Sequence, residues 1–141
     1  MRIDVVGLPA PQGSKRHVGN GVMVESSKRV KPWRQDVKYA ALEHLPFEAM
    51  AGAVDIQVAF YLPRPKGHYL TGAKSAFLRA KAPDYPAGRP DLDKLLRSTF
   101  DALGEAGIWG DDAQVVKVTA GKHYADYRQP GAIIQVTKAA S

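Results

Sequence analysis

Polar and apolar residues alternate most cleanly over 53–62 (AVDIQVAFYL). Val54, Ile56, Val58, Phe60 and Leu62 share one face, and Asp55, Gln57, Ala59 and Tyr61 share the other. This is the period-two pattern of a strand with one buried side. A different period governs residues 91–106, where Leu92, Leu95, Leu96, Thr99, Phe100, Leu103 and Ala106 recur three and four apart. That spacing draws one stripe along an amphipathic helix, and Gly107 suits its C-terminal stop. A second helix is predicted from Pro32, a residue favoured in a first turn. It runs through Trp33, Val37, Ala40, Ala41, His44 and Leu45, and Pro46 ends it. His44 is thereby expected in the core or at its boundary. Residues 2–7, 114–120 and 131–138 read as further strands, and Asn20-Gly21 as a hairpin turn.

Residues 63–90 show neither period and hold five of the ten prolines. A short helical turn is expected there, around Lys74–Arg79. The order is strand, turn, helix, strand, long loop, helix, strand, strand. It predicts an α+β fold with a small mixed β-sheet packed with two main helices. The length, 141 residues, suits one domain spanning the whole chain. The absence of cysteine excludes a disulfide scaffold, a thiolate metal site and thiol catalysis. The apolar runs are too short to span a bilayer, and the first residues carry no secretory pattern. A cytoplasmic protein without a membrane partner is expected.

Charge changes the picture through its distribution. The net charge is +6, which favours an anionic partner, nucleic acid first among them. Residues 63–90 hold six basic side chains and one acidic, whereas residues 91–112 hold six acidic and two basic. Basic segments attract a phosphate backbone, and clustered carboxylates beside them would repel it unless a divalent cation lies between. Metal-dependent nuclease chemistry has these requirements.

The carboxylates in question are Asp91 and Asp93, which open the second main helix, and Asp111 and Asp112, which follow it. If Asp91, Asp93 and Asp112 converge, they form the hard oxygen site that Mg²⁺ or Mn²⁺ prefers. A strand running back along the helix from Ala113 is one route to convergence. Arg97, one turn beyond Asp93, is placed to meet a phosphate. A purely structural reading competes, and on spacing alone it is favoured. Asp91 suits a helix N-cap, Asp93 and Arg97 suit an i,i+4 ion pair, and Asp111-Asp112 suit a turn. The four histidines show no ligand spacing, and no GxSxG, Walker A or GxGxxG pattern occurs. Trp33 and Trp109 are expected in the core.

Three pieces carry a resemblance: Arg89-Pro90-Asp91-Leu92-Asp93-Lys94-Leu95-Leu96-Arg97, then Asp101-Ala102-Leu103, then Gly107-Ile108-Trp109-Gly110-Asp111-Asp112-Ala113-Gln114-Val115. Together they resemble the signature of the RusA family of Holliday-junction resolvases. Pro63-Arg64-Pro65-Lys66-Gly67-His68-Tyr69 resembles the longer branch of that family, with a basic insertion. The resemblance implies a RusA-like homodimer, encoded by a bacterium or prophage, that nicks four-way DNA junctions with Mg²⁺, or Mn²⁺ in its place. It makes Asp91, Asp93 and Asp112 the catalytic, metal-binding carboxylates and Asp111 an auxiliary ligand. Arg97 stands where the family usually has a catalytic lysine, and Lys94 where it usually has asparagine. Arginine keeps the charge but not the shiftable pKa of lysine. Lys15, Arg16, Arg64, Lys66, Lys74, Arg89 and Lys94 are the expected DNA contacts. A branched-DNA-binding protein of the same fold that no longer cuts is the alternative these departures suggest.

Overall fold

The computed structural model describes residues 1–13, 15–17, 23–25 and 28–140, the short stretches 15–17 and 23–25 by their backbone alone. Asn20-Gly21 and the side chains of Lys15 and Arg16 lie outside the described residues. The elements are β1 (Arg2–Val6), β2 (Lys15–His17), β3 (Met23–Glu25), α1 (Val30–Leu42), β4 (Val54–Leu62), α2 (Leu92–Glu105), β5 (Val115–Tyr124) and β6 (Gly131–Lys138). The sheet has the order β1-β6-β4-β5, and β2 pairs with β3 separately. β6 runs antiparallel to β1 and β4, while β4 and β5 are parallel. This is the mixed sheet with two main helices that the periodicities imply.

The alternating residues of β4 bury as their period demands: Val54, Ile56, Val58, Phe60 and Leu62 all face inward. Ile134 pairs with both Ile3 and Val58, and Val136 with Ile56, so three strands contribute to one apolar layer. Leu95, Ala102 and Leu103 of α2 and Trp33, Val37 and Ala41 of α1 close over it. Trp33 donates its indole N–H to Thr99 Oγ1 at 3.2 Å, and Thr99 donates to the Leu95 carbonyl at 2.8 Å. The polar atoms where the helices cross are thus satisfied.

α1 stops at Leu42, one turn before its apolar pattern runs out. His44 and Leu45 are exposed, Leu45 by 57%. The stripe therefore outlasts the surface it was expected to cover. β5 is longer than predicted because its second half, through Tyr124, keeps pairing with β4 up to Leu62. A parallel partner cannot follow through a tight turn and needs a crossover. Here the crossover is the 63–90 loop followed by α2. α2 thus begins near the C-terminal ends of β4 and β5 and returns toward their starts.

Candidate functional site

Pro90 precedes the first turn of α2, and its position is fixed from the neighbouring strand. Lys122 Nζ donates to the carbonyls of Gly88 at 2.8 Å and Pro90 at 2.9 Å. Lys122 pairs with Phe60 in the sheet, so it occupies the inward register just beyond the apolar core. A lysine in that alternation was the available sequence signal for this role, and pattern reading passed over it.

Asp91 holds the N-cap position of α2 in extended conformation, yet its side chain makes no capping hydrogen bond. Its carboxylate lies 3.6 Å from Lys94 Nζ and is half exposed. Asp93 is exposed in the first turn, and no ion pair joins it to Arg97 among the described residues. Neither structural use foreseen for these two side chains is present. Arg97 is exposed, and its guanidinium lies against Gly13, where φ is +109° and a Cβ would collide with it. Gly13 ends a segment laid along α2. Ser98 Oγ donates to the Ala10 carbonyl at 2.7 Å, and the Gln12 N–H donates to the Lys94 carbonyl at 3.0 Å.

Asp111 and Asp112 sit at the other end of α2. Gly107, at φ +85°, ends the helix, and Ile108 and Trp109 dive into the core. Trp109 Nε1 donates to Asp112 Oδ1 at 2.9 Å, and that oxygen also approaches Gly104. Asp111 accepts from the Ala113 N–H at 2.8 Å in a capping box with Gln114, so the turn reading of Asp111 holds. Gln114 Nε2 ties the turn to the carbonyls of Met50 and Gly52. Thirteen helical steps of 1.5 Å separate Asp91 from Gly104, about 20 Å. Asp112 therefore does not meet Asp91 and Asp93 within one chain. β5 does run back along α2, but Asp112 precedes it and stays at its starting end. Among the described residues, no group of three acidic or histidine side chains could hold a metal ion.

Of the expected DNA contacts, Lys66, Lys74 and Arg89 are exposed and Lys94 is half-buried. Arg64 is placed differently, for its side chain is only 3% exposed. It grips Asp126 through two hydrogen bonds of 2.7 and 3.0 Å, donates to the Pro83 carbonyl at 2.7 Å and lies 4.1 Å over the Tyr124 ring. The guanidinium holds the Asp126 carboxyl below its usual range, chiefly by direct hydrogen bonding. Arg64 thus clasps the 63–90 loop to the sheet rather than facing outward. The loop is folded: its 3₁₀ turns span Lys66–His68 and Gly72–Lys74, the second just before the predicted position. Tyr69 bridges to Leu78.

The chain matches the model of the endodeoxyribonuclease RusA family over residues 6–137. It is 31% identical over 129 residues to the uncharacterized protein YqaN of Bacillus subtilis (strain 168), covering 89% of each chain. Over 28 residues it is 64% identical to the crossover junction endodeoxyribonucleases RusA of Enterobacteria phage 82 and Escherichia coli (strain K12), 20% of this chain and 23% of theirs. No helix among the described residues is long and apolar enough to cross a membrane.

Proposed function

Because the chain belongs to the RusA family, whose members are nucleases, we propose that it is a Mg²⁺-dependent endodeoxyribonuclease that resolves four-way DNA junctions by paired symmetric nicks. The observation that carries this reading is the condition of Asp91 and Asp93. Asp91 is the N-cap of α2 and Asp93 lies in its first turn, and among the described residues neither accepts a hydrogen bond from the fold. Two such carboxylates suit Mg²⁺, which commonly takes one or two carboxylates and completes its shell with water and phosphate oxygens. Bound there, the ion would supply Lewis acidity toward the scissile phosphate and a lowered pKa for water; Mn²⁺ has the same preferences.

The residues of the chain do the rest. Asp91 and Asp93 hold the cation. Arg97, always charged, binds phosphate rather than relaying a proton. Arg89, Lys94, Lys66 and Lys74, with Lys15 and Arg16, contact the DNA arms through phosphates. Arg64 serves indirectly by clasping the loop. Asp112 joins the site from a second copy of the chain. A two-fold dimer with its α2 helices antiparallel brings Asp112 of the partner subunit to Asp91 and Asp93, with Asp111 as auxiliary. Between the two ends of α2, Val116 and Val118 of β5 are 64% and 40% exposed, and Leu92, Leu96 and Phe100 are only partly covered. This apolar strip supports the pairing, and two equivalent sites suit the two-fold symmetry of a four-way junction.

The test compares a labelled four-way junction with a linear duplex of the same arms, in Mg²⁺ and in EDTA. Paired nicks in the junction alone, lost in EDTA and in Asp91→Asn or Asp112→Asn, are the expected result. Tight junction binding without nicks in Mg²⁺ or Mn²⁺ would favour the non-cleaving alternative, which Lys94 and Arg97 motivate. Arg97→Lys is then the next variant. Neither binding nor cutting would overturn both.

A further inference from the structure

A cleft of about 530 Å³ opens beside Pro90, one residue from the Asp91 carboxylate. Its lining is rich in proline: the segment after β1 contributes Pro9 and Pro11, and the loop leading to α2 contributes Pro63, Pro65, Pro86 and Pro90. Tyr124 lies in the lining, and Arg29 and Arg89 complete it as exposed cations. Neither arginine is in an ion pair among the described residues.

Both segments are fixed without a ligand. The Ser98 hydroxyl holds the Ala10 carbonyl at 2.7 Å, and Lys122 holds those of Gly88 and Pro90. Proline rings lose almost no side-chain entropy on contact, so little ordering cost opposes an occupant. The volume lies within the usual range for small-ligand pockets. A proline-rich apolar lining with two exposed arginines in it matches one kind of guest on a DNA strand: a planar base with its flanking phosphates.

We propose that this cleft receives an unstacked nucleobase of branched DNA, with Arg29 and Arg89 holding the adjacent phosphates. The inference rests on the DNA-cleaving reading above and adds the route by which a strand approaches Asp91. Enzymes that reach a nucleotide out of the stack place it between apolar or aromatic surfaces in this way. Gly88 and Pro90 lend their carbonyls to Lys122, so these two acceptors are withdrawn from reading a base edge.

Occlusion tests this from two separate lining segments. Gly88 lines the cleft and a Cβ on it would meet nothing within 4 Å, so Gly88→Phe is the first occluding variant. Leu8→Trp, in the lining segment after β1 at a residue 36% exposed, is the second variant should the first misfold. Binding is measured in EDTA, with 2-aminopurine beside the branch point or far along an arm. With the wild type, fluorescence should rise for the branch-point label alone. Each occluding variant should abolish the rise and weaken junction binding about five- to hundredfold, with linear-duplex affinity unchanged. Wild-type binding and nicking with no rise beside the branch point, or folded variants that match the wild type, would overturn the cleft assignment and leave the nuclease reading standing. A wild type that binds no junction would overturn both.

Discussion

The two ends of α2 carry the same residue type and use it in opposite ways. At the C-terminal end, Asp111 caps a turn and Asp112 receives the Trp109 indole; these aspartates hold the backbone that presents them. At the N-terminal end, Asp91 makes no cap and Asp93 makes no ion pair to Arg97 among the described residues. The work of holding that end falls to Lys122 and Arg64, from β5 and the start of the loop. A carboxylate already committed to the fold is fixed in direction, and Asp112 keeps its second oxygen for another partner. Asp93, which the fold does not use, and Asp91, whose contact is the Lys94 ammonium at 3.6 Å, remain open to a cation, at no cost in unmade hydrogen bonds.

The sharpest way to break this comparison is to divide the two ends between subunits. Asp93→Asn and Asp112→Asn proteins, each inactive, are mixed and allowed to exchange. If the site spans two copies, the mixed dimer has one intact site, and single-strand nicking of a junction returns from background. A site complete within one chain would stay silent.

Next in size is the effect of Lys122→Met. Releasing Gly88 and Pro90 should lower kcat about ten- to hundredfold, as when the support of a metal ligand is lost. The KM for junction should rise by less than kcat falls, because Lys122 is spent on two carbonyls and meets DNA only through the cleft wall it holds; a rise in KM with kcat unchanged would make it a DNA contact instead.

Stability separates the ends more gently. Asp111→Ala and Asp112→Ala should each cost about 1 kcal/mol in urea unfolding, through a lost cap and an unpaired indole N–H. Asp91→Ala and Asp93→Ala should stay within about 0.5 kcal/mol. A large loss at Asp91 would show that it serves the helix after all.

The smallest effect is confined to the loop. Asp126 titrates below its ordinary value because Arg64 is hydrogen-bonded to it. The clasp is therefore complete above about pH 4, the unfolded carboxyl value, and is lost as pH falls through the lower folded one. Pepsin cleavage within residues 63–90 should rise over that acid range, and Arg64→Ala should abolish the pH dependence.

Local rules read from the chain reached a good distance. The β4 alternation matches burial residue by residue, because it states which side faces away from water; the α2 stripe does so at Leu95, Thr99 and Leu103, while Leu92, Leu96 and Phe100 are only partly covered and Ser98 and Ala102 are buried beside it. The α1 stripe overreached, since His44 and Leu45 satisfy the period but find no surface to cover. Arg64 looked like every other basic residue in its loop. Its burial depends on Asp126 and Tyr124, about 60 residues on, and no local pattern encodes a partner so distant.

Element types, the inward faces, the acidic island after a basic loop and the family were decided by the sequence itself, because period, charge and motif spacing are local properties. Tertiary structure alone decided which carboxylates are neighbours. With β4 and β5 parallel, the chain must cross over between them. The crossover helix then sets Asp91 and Asp93 one helix length from Asp112, although the motif runs unbroken along the chain.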